Sequence, residues 1–122
     1  MKKILIVDDQ PQIRELVAIT LQPSSYQILL AENGQQAIEI AQTEHPDVIL
    51  LDVMLDGSDL DGLEVCRRLK KNPATEDIPI VLLTAQGQMS DIEAGKAAGA
   101  DDYFTKPFSP IALMKKIEAV LG

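Results

Sequence analysis

Three short aliphatic runs constrain this chain more than any other feature. Residues 2–9 read KKILIVDD, 46–52 read PDVILLD and 78–84 read IPIVLLT. Each is continuous rather than alternating, and each stops at polar side chains: Asp8 and Asp9, Asp52, Thr84. A strand apolar on both faces belongs inside a parallel sheet covered on both sides. YQILLA at 26–31 and ADDYFTK at 100–106 are weaker candidates for the same role.

Segments of helical period lie between these runs. Ile13, Leu16, Val17, Thr20 and Leu21 form one stripe, and Ala37, Ile38, Ile40 and Ala41 a second. Leu63, Val65, Cys66 and Leu69 make a third, and Ile92 with Ala97 and Ala98 a weak fourth. Ile111, Leu113, Met114, Ile117, Val120 and Leu121 make the last. Asn33 with Gln36, and Asp61 with Glu64, have the spacing of reciprocal amino-terminal caps, the second with a staple between Leu60 and Val65. Ser109-Pro110 reads as a cap and first helical residue, and Gly99 as the left-handed residue that closes a helix. Lys115 and Lys116 suit the negative end of the final helix.

The order is β-α repeated five times, without linker or low-complexity stretch. Such alternation predicts an α/β fold: a doubly wound, five-stranded parallel sheet with helices on both faces and right-handed crossovers. With 122 residues and 13.3 kDa, residues 1–122 form one domain with a real core. Ligands of such sheets bind just beyond the carboxyl ends of the strands.

Composition removes several function classes. Eleven Lys and Arg against nineteen Asp and Glu leave a charge of -8, which repels phosphate backbones and argues against direct nucleic-acid binding. One cysteine, Cys66, excludes an internal disulfide and any cysteine-built metal centre. No apolar run approaches the roughly 20 residues of a membrane span. Met1-Lys2-Lys3 is followed by only four apolar residues before two acids, which is no signal peptide. The expectation is an acidic cytoplasmic domain without a membrane partner.

The strand ends hold the chemistry. Asp8 and Asp9 follow the first strand, Asp52 ends the third, Thr84 the fourth, and Lys106 the fifth. Taken singly, these are ordinary strand-end caps or surface charges. If the first and third strands are neighbours, three carboxylates converge, and two such charges about 4 Å apart repel by roughly 4 kcal/mol at an effective dielectric near 20. A compensating cation is then required. Oxygen-only ligands favour a hard ion, Mg²⁺ above all, with Mn²⁺ able to substitute. A carboxylate, a divalent ion, an amine and a hydroxyl together suit phosphoryl transfer to Asp52 as nucleophile. The chain has no GxxxxGK[ST] or GxGxxG, so another molecule must supply the phosphoryl group.

With ILIVDD at 4–9, DVILLD at 47–52, LLTA at 82–85 and GADDYFTKPF at 99–108, the chain resembles the receiver domains of two-component response regulators, the chemotaxis-type phospho-acceptor fold. The resemblance implies the flavodoxin-like strand order 2-1-3-4-5. It implies that Asp52 is phosphorylated, that Asp9 with Asp8 and the Met54 carbonyl hold Mg²⁺ beside Asp52, and that Lys106 pairs with the phosphate. Thr84 and Tyr103 match the family's switch pair, and a cis bond is implied between Lys106 and Pro107. The donor would be a histidine kinase or phosphotransfer protein. A downstream protein or an attached output domain would read the face from about Ser90 to Leu121. Such a domain is a phospho-acceptor rather than an enzyme in the usual sense.

The loop after Asp52 departs from the family. Asp56 stands where a proline is usual, and Asp61-Gly62 lies two residues late. DGSDLDG at 56–62 therefore reads as an acidic insertion, either a longer solvated turn or a source of one more carboxylate. It is no calcium EF-hand loop, since Arg68 stands where the last ligand belongs. His45, before Pro46, reads as a turn residue, and Cys66 as a small buried hydrophobe. Three other functions compete: a receiver-like scaffold that takes no phosphate, flavin or nucleotide binding, which the two negative charges of DDQPQ after the first strand oppose, and a phosphoaspartyl hydrolase. The hydrolase needs an acid two residues after its nucleophile, where this chain has Met54.

Overall fold

The structure, a computed structural model, describes residues 2–21, 26–53, 61–85, 89–106 and 109–121, with the main chain alone at 85, 89–91 and 106. Its strands are β1 (Lys3–Val7), β2 (Gln27–Ala31), β3 (Val48–Asp52), β4 (Ile80–Ala85) and β5 (Asp102–Lys106). Its helices are α1 (Pro11–Leu21), α2 (Gly34–Glu44), α3 (Gly62–Lys71), α4 (Met89–Ala97) and α5 (Pro110–Leu121). The strands form one parallel sheet in the order β2-β1-β3-β4-β5, as the resemblance implies.

Successive strand residues face opposite sides of a sheet, and both sides are covered here. Ile4, Ile6, Val48, Leu50, Val81 and Leu83 pack with Val17 and Leu21 of α1 and Leu113 and Ile117 of α5. Leu5, Val7, Ile49, Leu51, Ile80 and Leu82 pack with Ala37 and Ala41 of α2 and Val65, Cys66 and Leu69 of α3. This two-sided cover is why the aliphatic runs have no polar alternation.

Leu16 and Ile111 correct the helix reading, for both are exposed, Ile111 to 68%. Each residue turns the helix by about 100°, so Leu16 sits beside the Val17–Leu21 line and Ile111 far around from Leu113 and Ile117. Lys116 differs as well: its ammonium lies 3.0 Å from Asp102 Oδ2, serving β5 rather than the end of α5.

The caps hold in their main part. Asn33 Oδ1 accepts from the Gln36 amide at 2.9 Å and Asp61 Oδ1 from the Glu64 amide at 2.8 Å. The return bonds differ. Gln36 Oε1 accepts from the Glu32 amide, one residue upstream of the cap, and Glu64 turns to Arg67 and Arg68. Ser109 Oγ accepts from the Ala112 amide at 3.1 Å. Gly99 has φ +100, and the bonds Ala100 N to Gly95 O and Gly99 N to Lys96 O close α4 in a Schellman turn. His45 ends α2 in the left-handed region, at φ 45, before Pro46. Leu60 lies outside the described residues. Among the described residues no helix is long and apolar enough to cross a membrane.

Candidate functional site

The sheet order places β1 beside β3, and their register brings three acids to one rim. Val7 pairs with Leu51, so Asp8 and Asp52 stand level at the next step along the two strands. Carboxylate oxygens of Asp8, Asp9 and Asp52 lie within 4.8 Å of one another. Asp8 is fully buried, Asp52 is 6% exposed, and Asp9 is intermediate. The Asp8 amide donates to the Ala31 carbonyl at 3.2 Å, and Asp8 Oδ1 accepts from the Gln10 amide at 2.9 Å. The acids thus stand on a braced backbone.

Three buried or half-buried carboxylates at this spacing repel strongly unless a cation shares them. The donor set is oxygen only, without imidazole or thiolate, and fits a hard divalent ion such as Mg²⁺.

The neighbouring strand adds a hydroxyl. Asp52 pairs with Leu83, which puts Thr84 one position further along β4. Thr84 is buried, and its Oγ1 has no hydrogen-bond partner among the described residues. A hydroxyl in that state lacks the compensation that buried polar groups ordinarily have. Thr84 pairs in turn with Thr105, and Ala85 with Lys106, so the main chain of Lys106 reaches the same rim. Tyr103 sits lower on β5, opposite Leu82. Tyr103 is 39% exposed and lines a cavity of about 260 Å³ with Leu82, Ile92, Lys96 and Ala100. The Met54 carbonyl, the Lys106 side chain, the Lys106-Pro107 bond and residues 56–60 of the acidic loop lie outside the described residues.

Two further residues brace the site. Gly62, first in α3, presses on the Asp52 carbonyl so closely that a Cβ there would stand 2.0 Å from it. Arg14 reaches back from α1 to the Asp8 carbonyl at 2.6 Å. The Asp61-Gly62 pair carried a signal for the first; nothing in the spacing of α1 marked the second.

The family model of the response regulator receiver domain matches residues 4–118. This chain belongs to that family. The receiver domain is 50% identical over 120 residues to the phosphate regulon transcriptional regulatory protein PhoB of Pseudomonas aeruginosa, covering 98% of this chain and 52% of that protein. It is 44% identical to the alkaline phosphatase synthesis transcriptional regulatory protein PhoP of Bacillus subtilis, over 98% of this chain and 48% of that one. The chain therefore spans about half the length of these curated relatives. Among solved structures, the chemotaxis response regulator CheY4 of Vibrio cholerae superposes with a TM-score of 0.90 at 34% identity, covering 98% of both chains. The receiver fold and the strand order agree with these neighbours.

Proposed function

We propose that this receiver domain accepts a phosphoryl group on Asp52 from the phosphohistidine of a histidine kinase or phosphotransfer protein in the cytoplasm. The cluster of Asp8, Asp9 and Asp52 within 4.8 Å carries the reading. A carboxylate oxygen of Asp52 bonds to phosphorus as the donor's phosphorus–nitrogen bond breaks. The bonding pair leaves with the imidazole nitrogen, which takes up a proton. Asp8, Asp9 and Asp52, with the Met54 carbonyl, would hold Mg²⁺ or Mn²⁺, whose charge offsets that of the transferring oxygens.

The chain's own groups do the rest. The buried Thr84 hydroxyl, without a hydrogen-bond partner among the described residues, is a donor ready for a phosphoryl oxygen. Lys106 at the end of β5 would supply a fixed positive charge. Occupation of Thr84 then favours an inward setting of Tyr103, and the α4-β5-α5 face carries the difference to a separate protein or to an attached output domain. The domain is a phospho-acceptor that assists its own reaction. Met54 stands where a phosphoaspartyl hydrolase needs its acid, which weighs against that activity.

Acetyl phosphate with Mg²⁺ tests the proposal by intact mass. One acid- and hydroxylamine-labile phosphoryl group is expected on the native chain and none on Asp52→Asn. Equal labelling of both proteins overturns the assignment, and no labelling of the native chain favours a scaffold that takes no phosphate.

A further inference from the structure

Arg14 belongs to α1, but its side chain serves the strand end behind it. Nη1 donates to the Asp8 carbonyl oxygen at 2.6 Å, and Nη2 lies 3.9 Å from Glu32 Oε2. The side chain is only 15% exposed. That carbonyl is part of the peptide unit joining Asp8 to Asp9, so holding it orients both acids. The Arg14 amide also donates to the Gln10 carbonyl at 3.2 Å, while the Gln10 amide donates to Asp8 Oδ1 at 2.9 Å. Main chain and carboxylate of Asp8 are therefore both tied into the first turns of α1.

We propose that Arg14 is a positioning residue for cation binding at Asp8, Asp9 and Asp52. The inference rests on the reading that these acids hold a divalent ion. Groups that fix metal ligands from behind set affinity, because a ligand already in place need not be ordered when the ion arrives. A second, simpler role makes the opposite prediction. If Arg14 were only a positive charge near an acidic cluster, removing it would tighten cation binding. The sign of the change separates the two.

The experiment titrates Mn²⁺ into the native chain, R14Q, R14K and E32Q, reading free Mn²⁺ by electron paramagnetic resonance well below each melting temperature. Measured on folded protein, the Kd is not moved by a global loss of stability. R14Q should raise the Kd about tenfold, the lower end of what such supporting partners contribute. R14K keeps the charge and one donor but not the fork, and should recover part of the loss, leaving it about threefold above native. E32Q, which alters only the longer of the two side-chain contacts of Arg14, should stay within about twofold.

A Kd for R14Q equal to or below native overturns the inference. If R14Q does not fold, a native Kd in R14K overturns it. Absence of Mn²⁺ binding by the native chain removes the cation reading and this inference together. Mn²⁺ binding without labelling of Asp52 removes only the phospho-acceptor reading, and the Arg14 comparison still decides.

Discussion

A methyl group on Gly62 would lie 2.0 Å from the carbonyl oxygen of Asp52 and 2.7 Å from the Val53 Cα. Both atoms are main chain, so no flexible side chain can give way. The Gly62 amide also donates to the Val53 carbonyl at 3.1 Å, which locks the start of α3 to the end of β3. Gly62→Ala is expected to destabilise the fold by about 2 kcal/mol, as overpacking of a tight contact does. It should also lower any labelling of Asp52 by acetyl phosphate, because the peptide that carries this carboxylate must shift. Urea unfolding and intact mass check both, and an unchanged urea midpoint would show that the contact is slack.

Thr84 gives a prediction of opposite sign. Its buried hydroxyl has no partner among the described residues, so its burial costs desolvation that none of those residues offsets. Thr84→Val removes that hydroxyl at similar shape and should raise stability by about 1 kcal/mol. Asp52 should still be labelled, while any phosphorylation-dependent change at Tyr103, read by its NMR shifts, should be lost. A variant less stable than native would mean that the hydroxyl is satisfied in solution.

Asp52 and Thr84 are legible because an aliphatic run that stops at a polar residue marks a strand end, and strand ends of a parallel sheet are where ligands sit. Alternation alone says that the strands are parallel; it does not say that β1 and β3 are neighbours, which came with the family resemblance. Gly62 follows an acid and reads as a helix start, and its pressure on Asp52 exists only once α3 is docked. Arg14 is hidden for a related reason. A polar residue beside an apolar stripe reads as solvated, and only the folded turn shows it reaching the Asp8 carbonyl. Leu16 and Ile111 fail more simply, since apolar identity within a broad arc does not separate the sheet-facing line from its flank.

Cys66 links burial to pH. It is fully buried, with Sγ 3.7 Å from the Ala98 carbonyl oxygen, and burial pushes its thiol up from 9.0 to about 11. The unfolded thiol ionises first, so its contribution to stability is whole below pH 9 and is lost as pH rises toward 11. Comparing urea midpoints of the native chain and Cys66→Ala across that window isolates the effect. The native advantage should shrink as pH rises, and a constant difference would refute it. At pH 8 the native thiolate is roughly a hundredfold scarcer than in an unfolded chain, so an aromatic disulfide reagent should label Cys66 only as fast as the fold opens.

Lys70 anchors the opposite end of the sheet. Its ammonium lies 2.7 Å from Asp101 Oδ2 and donates to the carbonyls of Ile78 at 2.8 Å and Glu76 at 3.2 Å. Asp101 Oδ2 also accepts from the Ile80 amide at 2.9 Å, and the Lys70 stem lies against Gly99 at the Schellman turn. One half-buried cation thereby ties the end of α3 to the starts of β4 and β5. Lys70→Met keeps the stem but strands these acceptors, at a cost of about 2 kcal/mol after allowing for the exposure of Asp101. The loss should be local. Hydrogen exchange at the Ile80 and Ala100 amides should quicken more than at Val7 or Leu51 beside the acidic site. Uniform quickening would show general loosening of the core, and an unchanged urea midpoint would show that the network contributes nothing.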